Sequence, residues 1–329
     1  MKKQLLIAAV AATMTSVAFA DISLTGSMKV NYKNTDTNGS TADTVTQEGD
    51  LVLTGTNGGT KVHVEVSIDG GNSTGTADSS TANNMRTEDV WMSTSIGDVA
   101  IKTGTWNAGD TIFTGNATRT SGNWILSTDV SGVNVALEGD SGASAVKTTV
   151  SGDIAGVSTK YVIKGADANG KTSNELFLSS DVAGFGVTYA MIDSQATTAD
   201  AAAFTIAKEF NGVTVSYSDV DADTSYTIAG DTAAFGDAAV IGMKAGDDAT
   251  AIKLSTSLAG NTVSARFVSV DIDSNVVTDD QDADYDVNTY TVTRPLANGT
   301  TLEVTYTDTD KTGATNDTEV LDVELAVKF

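Results

Sequence analysis

The chain has 329 residues, a formal net charge of −24 and no cysteine. Such acidity is unfavourable for nucleic-acid binding, which depends on Lys and Arg contacts to phosphate, and the lack of cysteine excludes disulfides and thiolate metal sites. Hydrophobic residues make up 40% of the sequence and the mean hydropathy is −0.05, which is too polar for a helical membrane protein. One proline against 31 glycines suits long strands joined by glycine turns.

The first twenty residues have the features of an export signal. Lys2 and Lys3 give a positive start, residues 5–17 are apolar and rich in alanine, and residues 18–20 supply a small-x-small cleavage site. After Ala20 no run approaches the roughly 18 apolar residues that a spanning helix needs. We therefore expect residues 1–20 to be a cleaved signal peptide and residues 21–329 to be the mature protein.

One unit recurs along the mature chain: an alternating strand, a tight glycine turn, a second alternating strand and a polar stretch. Pairs such as Asn-Gly tolerate the positive φ that two-residue hairpins require. The turns fall at residues 57–59, 96–98, 130–132, 154–156, 182–184, 210–212, 258–260 and 297–299. They join sixteen strands, and a strand at each terminus gives a best count of eighteen. Residues 224–245 are either a further hairpin or a loop folded inward, so counts from 16 to 20 stay open.

Longer polar stretches separate these hairpins. They are rich in Asp, Thr, Ser and Asn, and they cover residues 34–46, 70–84, 105–121, 272–283 and 309–317. Short turns at one end and longer loops at the other are typical of a transmembrane β-barrel. Because the hairpin unit fills residues 21–329, the sequence predicts a single all-β domain, an antiparallel up-and-down barrel.

The last strand alternates without interruption. Leu321, Val323, Leu325, Val327 and Phe329 share one face, and Asp322, Glu324, Ala326 and Lys328 share the other. An apolar face toward lipid and a polar face toward water is the pattern of a transmembrane strand. Aromatic side chains recur at two levels: Tyr161, Tyr189 and Tyr217 lie five residues after a turn glycine, and Phe185, Phe210 and Phe329 lie at the turn end.

The export signal, the hairpin repeat, the two aromatic levels and the terminal Phe329 together resemble the general diffusion porins of Gram-negative bacteria. The resemblance covers the whole mature chain and includes the short stretches 21–26 and 325–329. It implies a homotrimer in the outer membrane, in contact with lipid and lipopolysaccharide, that passes small hydrophilic solutes and ions by passive diffusion. It also implies insertion by a barrel-assembly machinery that reads Phe329. It would favour sixteen strands over eighteen.

The resemblance further implies that the third loop folds inward as a constriction. In this chain that loop is residues 105–122, which carry Trp106, Asp110, Phe113 and Arg119.

Charged side chains on the inward phase of the strands are predicted to line a water-filled lumen, since barrels of 16 to 18 strands leave an aqueous channel. They are Lys29, Lys61, His63, Glu65, Lys102, Lys147, Lys160, Lys164, Lys253, Arg266 and Glu303. A lysine row accelerates anions, whereas acidic loops at the mouth concentrate cations. We hypothesise weak selectivity with a mild cation preference at low salt.

Other functions have less support. His63 is the only histidine, and nothing in the sequence brings it into a Ser-His-Asp set, so no enzyme activity, metal site or cofactor is expected. The acidic runs 219–223 and 279–286 are weak candidates for Ca²⁺. A sugar-specific channel would need a line of lumenal aromatics, for which Trp91 and Trp106 are too few. The main alternative is an exported adhesin or surface-layer β-solenoid without transport activity.

Overall fold

A computed structural model describes residues 21–70, 84–107, 119–140, 146–166, 172–194, 199–222, 226–227, 242–243, 247–271, 284–311 and 317–329. The strands in these ranges are β1 Asp21–Thr37, β2 Ser40–Asn57, β3 Thr60–Gly70, β4 Asn84–Ile96, β5 Val99–Asn107, β6 Arg119–Val130, β7 Val133–Gly139, β8 Lys147–Ile154, β9 Val157–Lys164, β10 Ser173–Val182, β11 Phe185–Ser194, β12 Ala199–Phe210, β13 Val213–Ala222, β14 Tyr226–Thr227, β15 Gly242–Met243, β16 Asp247–Leu258, β17 Asn261–Asp271, β18 Tyr285–Pro295, β19 Thr300–Lys311 and β20 Thr318–Lys328.

Eighteen of these strands form one closed antiparallel sheet. Each pairs with its neighbours along the chain, with β13 pairing directly with β16, and β20 returns to pair with β1 over Ser27–Thr37. The short strands β14 and β15 pair only with each other and stand apart from this sheet. The predicted eighteen-stranded barrel is therefore confirmed, and the direct pairing of β13 with β16 leaves no place for a further wall strand between them.

Positive φ angles mark the tight turns that the sequence predicted. At Ser131-Gly132 both central residues have positive φ, and the same holds at Asn211-Gly212. This geometry matches the right-handed twist of the strands that the turn joins. Three turns place alanine at the first central position, at 155, 183 and 259, with φ of 54°, 58° and 51°. Asn-Gly is thus one of several sequences that form this turn here.

An aspartate three residues before the turn glycine recurs in several hairpins. Its Oδ1 accepts the glycine N–H, at 2.9 Å for Asp153 and Gly156 and at 3.0 Å for Asp181 and Gly184. The same contact, at 2.7 Å, joins Asp36 and Gly39. A short carboxylate of this kind satisfies a backbone donor that the ladder leaves free, and so stabilises the turn.

The sequence located the polar loops less accurately than the tight turns. Residues 34–46 are not a loop: they form the ends of β1 and β2 and a two-residue turn at Asn38-Gly39, where both φ angles are positive. Polar composition hid this turn because its flanking strands carry Thr, Asp and Asn rather than apolar residues. The predicted loop 105–122 is shorter as well, since β5 extends to Asn107 and β6 begins at Arg119.

The outer face of the barrel is apolar and exposed. Leu24 is 65% exposed, Met28 48% and Ile163 41%, all on the phase expected to face lipid. Aromatic side chains join this face: Phe267 packs edge-on against Tyr290, and Tyr290 stacks with Tyr306 across β18 and β19. An exposed apolar band with aromatic rings is the outer surface of a membrane barrel. Within the described ranges, no helix has the length and apolar character required to cross a membrane.

Candidate functional site

The inner face is identified by burial. Val220, Val268 and Val287 are at most 2% exposed, although each belongs to a strand of the barrel wall. Side chains of the opposite phase are exposed, for example Tyr217 at 39% and Phe267 at 38%, so the covered phase is the inner face. The ladder register carries this phase from strand to strand: Val268 lies opposite Val287, and Arg266, two residues earlier, lies opposite Thr289 and Lys253.

The same register places every charged residue that was predicted for the lumen on this inner phase. Lys29 on β1 lies opposite Glu48 on β2, and Glu48 lies opposite Asp69 on β3. Every second residue of β3 shares the face of Asp69, and this set includes Lys61, His63 and Glu65. The ladders from β7 to β9 place Glu138, Lys147 and Lys164 in one row. Their role in conduction remains a proposal.

Several of the inward lysines are paired with carboxylates. Lys29 Nζ lies 2.6 Å from Glu48 Oε2, Lys147 Nζ lies 2.8 Å from Glu138 Oε2, and Lys164 Nζ lies 3.1 Å from Glu175 Oε1. Each pair joins adjacent strands, where opposite charges on one face attract. The sequence predicted a row of lysines, but it did not predict that carboxylates would neutralise part of that row.

Other inward residues have polar partners. Arg266 Nη2 donates to Thr289 Oγ1 at 3.1 Å, and Thr293 Oγ1 donates to Glu303 Oε2 at 2.9 Å. Lys253 lies across from Arg266 and Ser216, and Lys160 lies across from Ser151 and Phe177. These two lysines have no ion pair with another residue of the described ranges.

A group of cationic and aromatic side chains lies on the inner face of β3, β4 and β5, and we call it the β3–β5 cluster: Lys61, His63, Trp91, Lys102 and Trp106. Lys102 Nζ lies 4.5 Å from the Trp91 ring centroid and 4.3 Å from that of Trp106. Lys61 Nζ lies 5.3 Å from the Trp91 centroid, and the His63 ring stacks on Trp91 at 4.7 Å with the planes 10° apart. Cations over indole faces at these distances are attracted by the ring quadrupole.

Two β-bulges position this cluster. Between Val64 and Val66, β4 inserts an extra residue, so that both Glu88 and Asp89 lie opposite Glu65. A second register shift, between Gly104 and Trp106, places an extra residue on β6. Bulges bend the strand and redirect side chains. Gly104, with φ of 142°, lies so close to β4 that an added Cβ would stand 2.6 Å from Trp91 Cα. The cluster therefore depends on glycine at this position.

The residues predicted for a constriction loop are not brought together as one loop. Trp106 belongs to β5, is 4% exposed, and accepts a hydrogen bond at its carbonyl from Asn123 Nδ2 at 3.2 Å. Arg119 begins β6, and nothing of its side chain is described. Asp110 and Phe113 lie outside the described residues. An inward constriction by residues 105–122 thus stays a prediction.

A buried apolar patch covers another part of the inner wall, from β11 to β18. It comprises Ala190, Ile192, Ala201, Ala203, Val220, Ala249, Ala251, Val268, Val270 and Val287, with Phe177 and Tyr285 packed against it. Side chains facing open water would be exposed, whereas these are at most 6% exposed, so little of their surface contacts water. Sequence reasoning missed this patch. The signal that could have revealed it lies in β12, where the polar–apolar alternation is lost. Ala201 and Ala203 face inward and are apolar, as are the outward residues Phe204 and Ile206.

The C-terminal residue closes the barrel. Phe329 N donates to Gly26 O at 3.0 Å, and Gly26 N donates to Phe329 O at 2.8 Å. The Phe329 ring lies over Gly26, where an added Cβ would stand 2.6 Å from the ring Cζ. The side chain is 66% exposed on the outer face. Phe329 therefore helps to join the first strand of the barrel to the last.

Comparison with known proteins finds similar architectures among solved structures. No protein-family model matches the sequence, and no curated protein matches it. Solved structures do match. That of Pseudomonas aeruginosa OpdQ superposes with a TM-score of 0.71 and 11% identity over 94% of this chain and 99% of that chain. That of the outer membrane protein OprD from P. aeruginosa gives 0.68 and 11% over 94% and 93%.

A third similar structure is P. aeruginosa OccK2 (OpdF) in complex with glucuronate. It gives a TM-score of 0.73 and 12% identity over 94% of this chain and 98% of that chain. At these identities the likeness shows a shared fold, the closed eighteen-stranded barrel, along almost the full length of both chains.

Proposed function

We propose that the chain is an outer-membrane porin: a water-filled channel for the passive, weakly selective diffusion of small hydrophilic solutes and ions. The observation that carries this proposal is the closed eighteen-stranded barrel with an exposed apolar outer face and a charged inner face. Such a barrel is wide enough for an aqueous lumen. OprD of P. aeruginosa, which shares the fold, is an outer membrane protein.

Charge pairing on the wall supports weak selectivity. A lysine whose ammonium contacts a carboxylate, as Lys29 contacts Glu48, presents little net charge to a passing ion. Lys147 and Lys164 are paired in the same way. Selectivity then falls to the unpaired wall lysines and to the acidic loops, whose charges oppose each other. We propose a mild cation preference, because the whole chain carries a net charge of −24.

The proposed location follows from the same features. Residues 1–20 would be removed on export, and the barrel would then insert into the outer membrane of a Gram-negative bacterium with help from machinery that reads Phe329. Lipid and lipopolysaccharide would contact the apolar outer face, and three copies would associate. The tight-turn end would face the periplasm and the opposite end the exterior, as in other membrane barrels.

Passive diffusion requires no catalytic step, and we propose none. His63 contacts Glu65 and stacks on Trp91, and neither residue supplies the hydroxyl nucleophile of a Ser-His-Asp set. The alternative of an adhesin or surface-layer protein rested on a β-solenoid. The closed antiparallel barrel is a different architecture and leaves that alternative without its structural basis.

Swelling of proteoliposomes tests the proposal. Vesicles containing the refolded protein are diluted into isotonic solutions of uncharged sugars of increasing size, and of glucuronate, the solute in the OccK2 structure. We expect fast swelling with the smallest sugars and a steady decline with size. Vesicles made with the same protein after boiling are the control. Equal swelling rates with folded and boiled protein would contradict the proposal, and uptake of one sugar alone would indicate a specific channel.

A further inference from the structure

A candidate metal site lies at the first bulge and shares His63 with the β3–β5 cluster. His63, Glu65 and Asp89 each offer one ligand atom, and these three atoms lie within 4.8 Å of one another. His63 Nε2 is 3.7 Å from Glu65 Oε2. All three side chains are half-buried on the inner wall. We propose that this triad binds a divalent transition-metal ion of the Zn²⁺ type.

The chemistry of the donors favours such an ion. Imidazole nitrogen suits Zn²⁺, Ni²⁺ and Cu²⁺, whereas Ca²⁺ and Mg²⁺ prefer an all-oxygen shell. Two carboxylates beside a neutral imidazole carry a charge of about −2, which matches a divalent cation. Three protein ligands leave a coordination position for water, which is the arrangement of open zinc sites.

The geometry needs only a small adjustment. Ligands bonded to one zinc ion at about 2.0–2.2 Å in a tetrahedron lie roughly 3.4 Å apart. The His63 and Glu65 atoms are already at 3.7 Å, and no pair of the three exceeds 4.8 Å. Rotation about the carboxylate torsions, which have broad minima, can close the remaining gap.

The surrounding structure holds the triad in place. His63 and Glu65 are two residues apart on β3 and therefore point the same way, and the bulge in β4 brings Asp89 opposite them. Stacking on Trp91 fixes the plane of the imidazole. Lys102, which the Asp89 carboxylate attracts, is held between the two indole rings rather than in the triad. These cationic neighbours weaken metal binding, so we expect a moderate affinity.

A direct binding measurement tests the site without relying on conduction. Isothermal titration calorimetry of the detergent-folded barrel with Zn²⁺ should show one site per chain, and Mg²⁺ at the same concentration should show none. Because His63 is the only histidine, His63→Ala should weaken Zn²⁺ binding at least about tenfold, and Glu65→Gln together with Asp89→Asn should do the same. The control is Glu324→Gln, which removes a carboxylate from the inner pair Glu303 and Glu324, where no histidine is present; it should leave Zn²⁺ affinity unchanged.

A channel recording supplies the functional readout, and this part rests on the proposed porin activity. Bound Zn²⁺ adds positive charge to the wall, so it should lower cation permeability in the wild type and have no effect in His63→Ala. Failure of the porin proposal would remove the current but leave the calorimetric binding intact. Calorimetry that shows no Zn²⁺ binding, or equal binding in His63→Ala, would overturn the metal site whatever the recordings show.

Discussion

Phe329 is the residue with the clearest structural role. It forms two backbone hydrogen bonds with Gly26, and its ring covers that glycine at the junction between the first and last strands. Both residues lie at the seam, where β1 pairs with β20 and closes the barrel. The exposed ring is also positioned for recognition by assembly factors, which is the role that we propose for it.

Deletion of Phe329 should lower the amount of folded protein in the membrane, because the seam then loses two ladder bonds and its aromatic cover. Heat-modifiable migration on gels after detergent extraction measures the folded fraction. Phe210→Ala is the matched control, since Phe210 is another exposed aromatic at the turn end, 52% exposed, and is not at the seam. Equal folded fractions in the deletion and the control would contradict the assignment.

Gly104 is the second residue on which a local arrangement depends. Gly104→Ala should destabilise the barrel by about 1–3 kcal/mol, because its φ of 142° is a glycine conformation and the new methyl group would meet β4. It should also change the tryptophan fluorescence, since Trp91 and Trp106 both pack on Lys102. Denaturant unfolding in lipid vesicles gives the first quantity and an emission spectrum the second.

Gly49→Ala is the control for the Gly104→Ala variant. Gly49 lies on the outer phase of β2, and the nearest atom to an added Cβ is Ser27 O at 3.7 Å, an ordinary contact. Its unfolding free energy and emission maximum should match those of the wild type. A Gly104→Ala protein as stable as the Gly49→Ala protein would show that the close approach is not required.

At the level of strands, the alternation of inner and outer faces makes a direct prediction. Leu254 on β16 is 37% exposed on the outer face, and Ser255, the next residue, faces Ser264 on the inner phase. Leu254→Arg should cost about 2–4 kcal/mol of folding free energy in a bilayer, the penalty for a charge on the lipid face near the midplane. Ser255→Arg should cost much less, because its charge would face the lumen.

Unfolding by guanidinium in phospholipid vesicles measures both variants. The difference between adjacent positions is informative because the two substitutions share charge, size and strand. If Ser255→Arg fails to fold while Leu254→Arg inserts normally, the inner and outer faces are reversed.

The strands and turns could be predicted from the sequence because their determinants are local. Alternation sets the face of each side chain, and positive φ at residues such as Asn211 and Gly212 follows from turn chemistry. The turn at Asn38-Gly39 was missed because its flanking strands are polar and extend the hairpin by several residues.

Contacts between strands were harder to predict. Lys102 between two indole rings, the extra residue opposite Glu65 and the pairing of Lys164 with Glu175 all depend on register, which the sequence does not state. The apolar inner patch was missed for a different reason. Small residues such as Ala203 and Ala251 give a weak alternation signal, so the sequence does not mark them as a buried cluster.

At the scale of the whole molecule, we expect the balance of charge to set the ion preference of the proposed channel. The inner wall combines ion pairs, such as Lys147 with Glu138, with lysines such as Lys160 and Lys253. The loops and outer ends of the strands carry most of the acidic excess of a chain with 43 acidic and 19 basic residues. Charges at the mouth act over distance, whereas those on the wall lie next to the permeating ion.

The reversal potential of the purified channel in a planar bilayer, measured over a series of salt gradients, tests the central claim most directly. The Debye length falls from about 30 Å at 0.01 M to about 3 Å at 1 M, so the influence of distant mouth charges should fade as salt rises. We predict stepwise conductance with a mild cation preference at low salt that approaches zero at 1 M. The absence of conductance steps would contradict the channel, and a strong anion preference at both ends of the series would show that the wall lysines govern it.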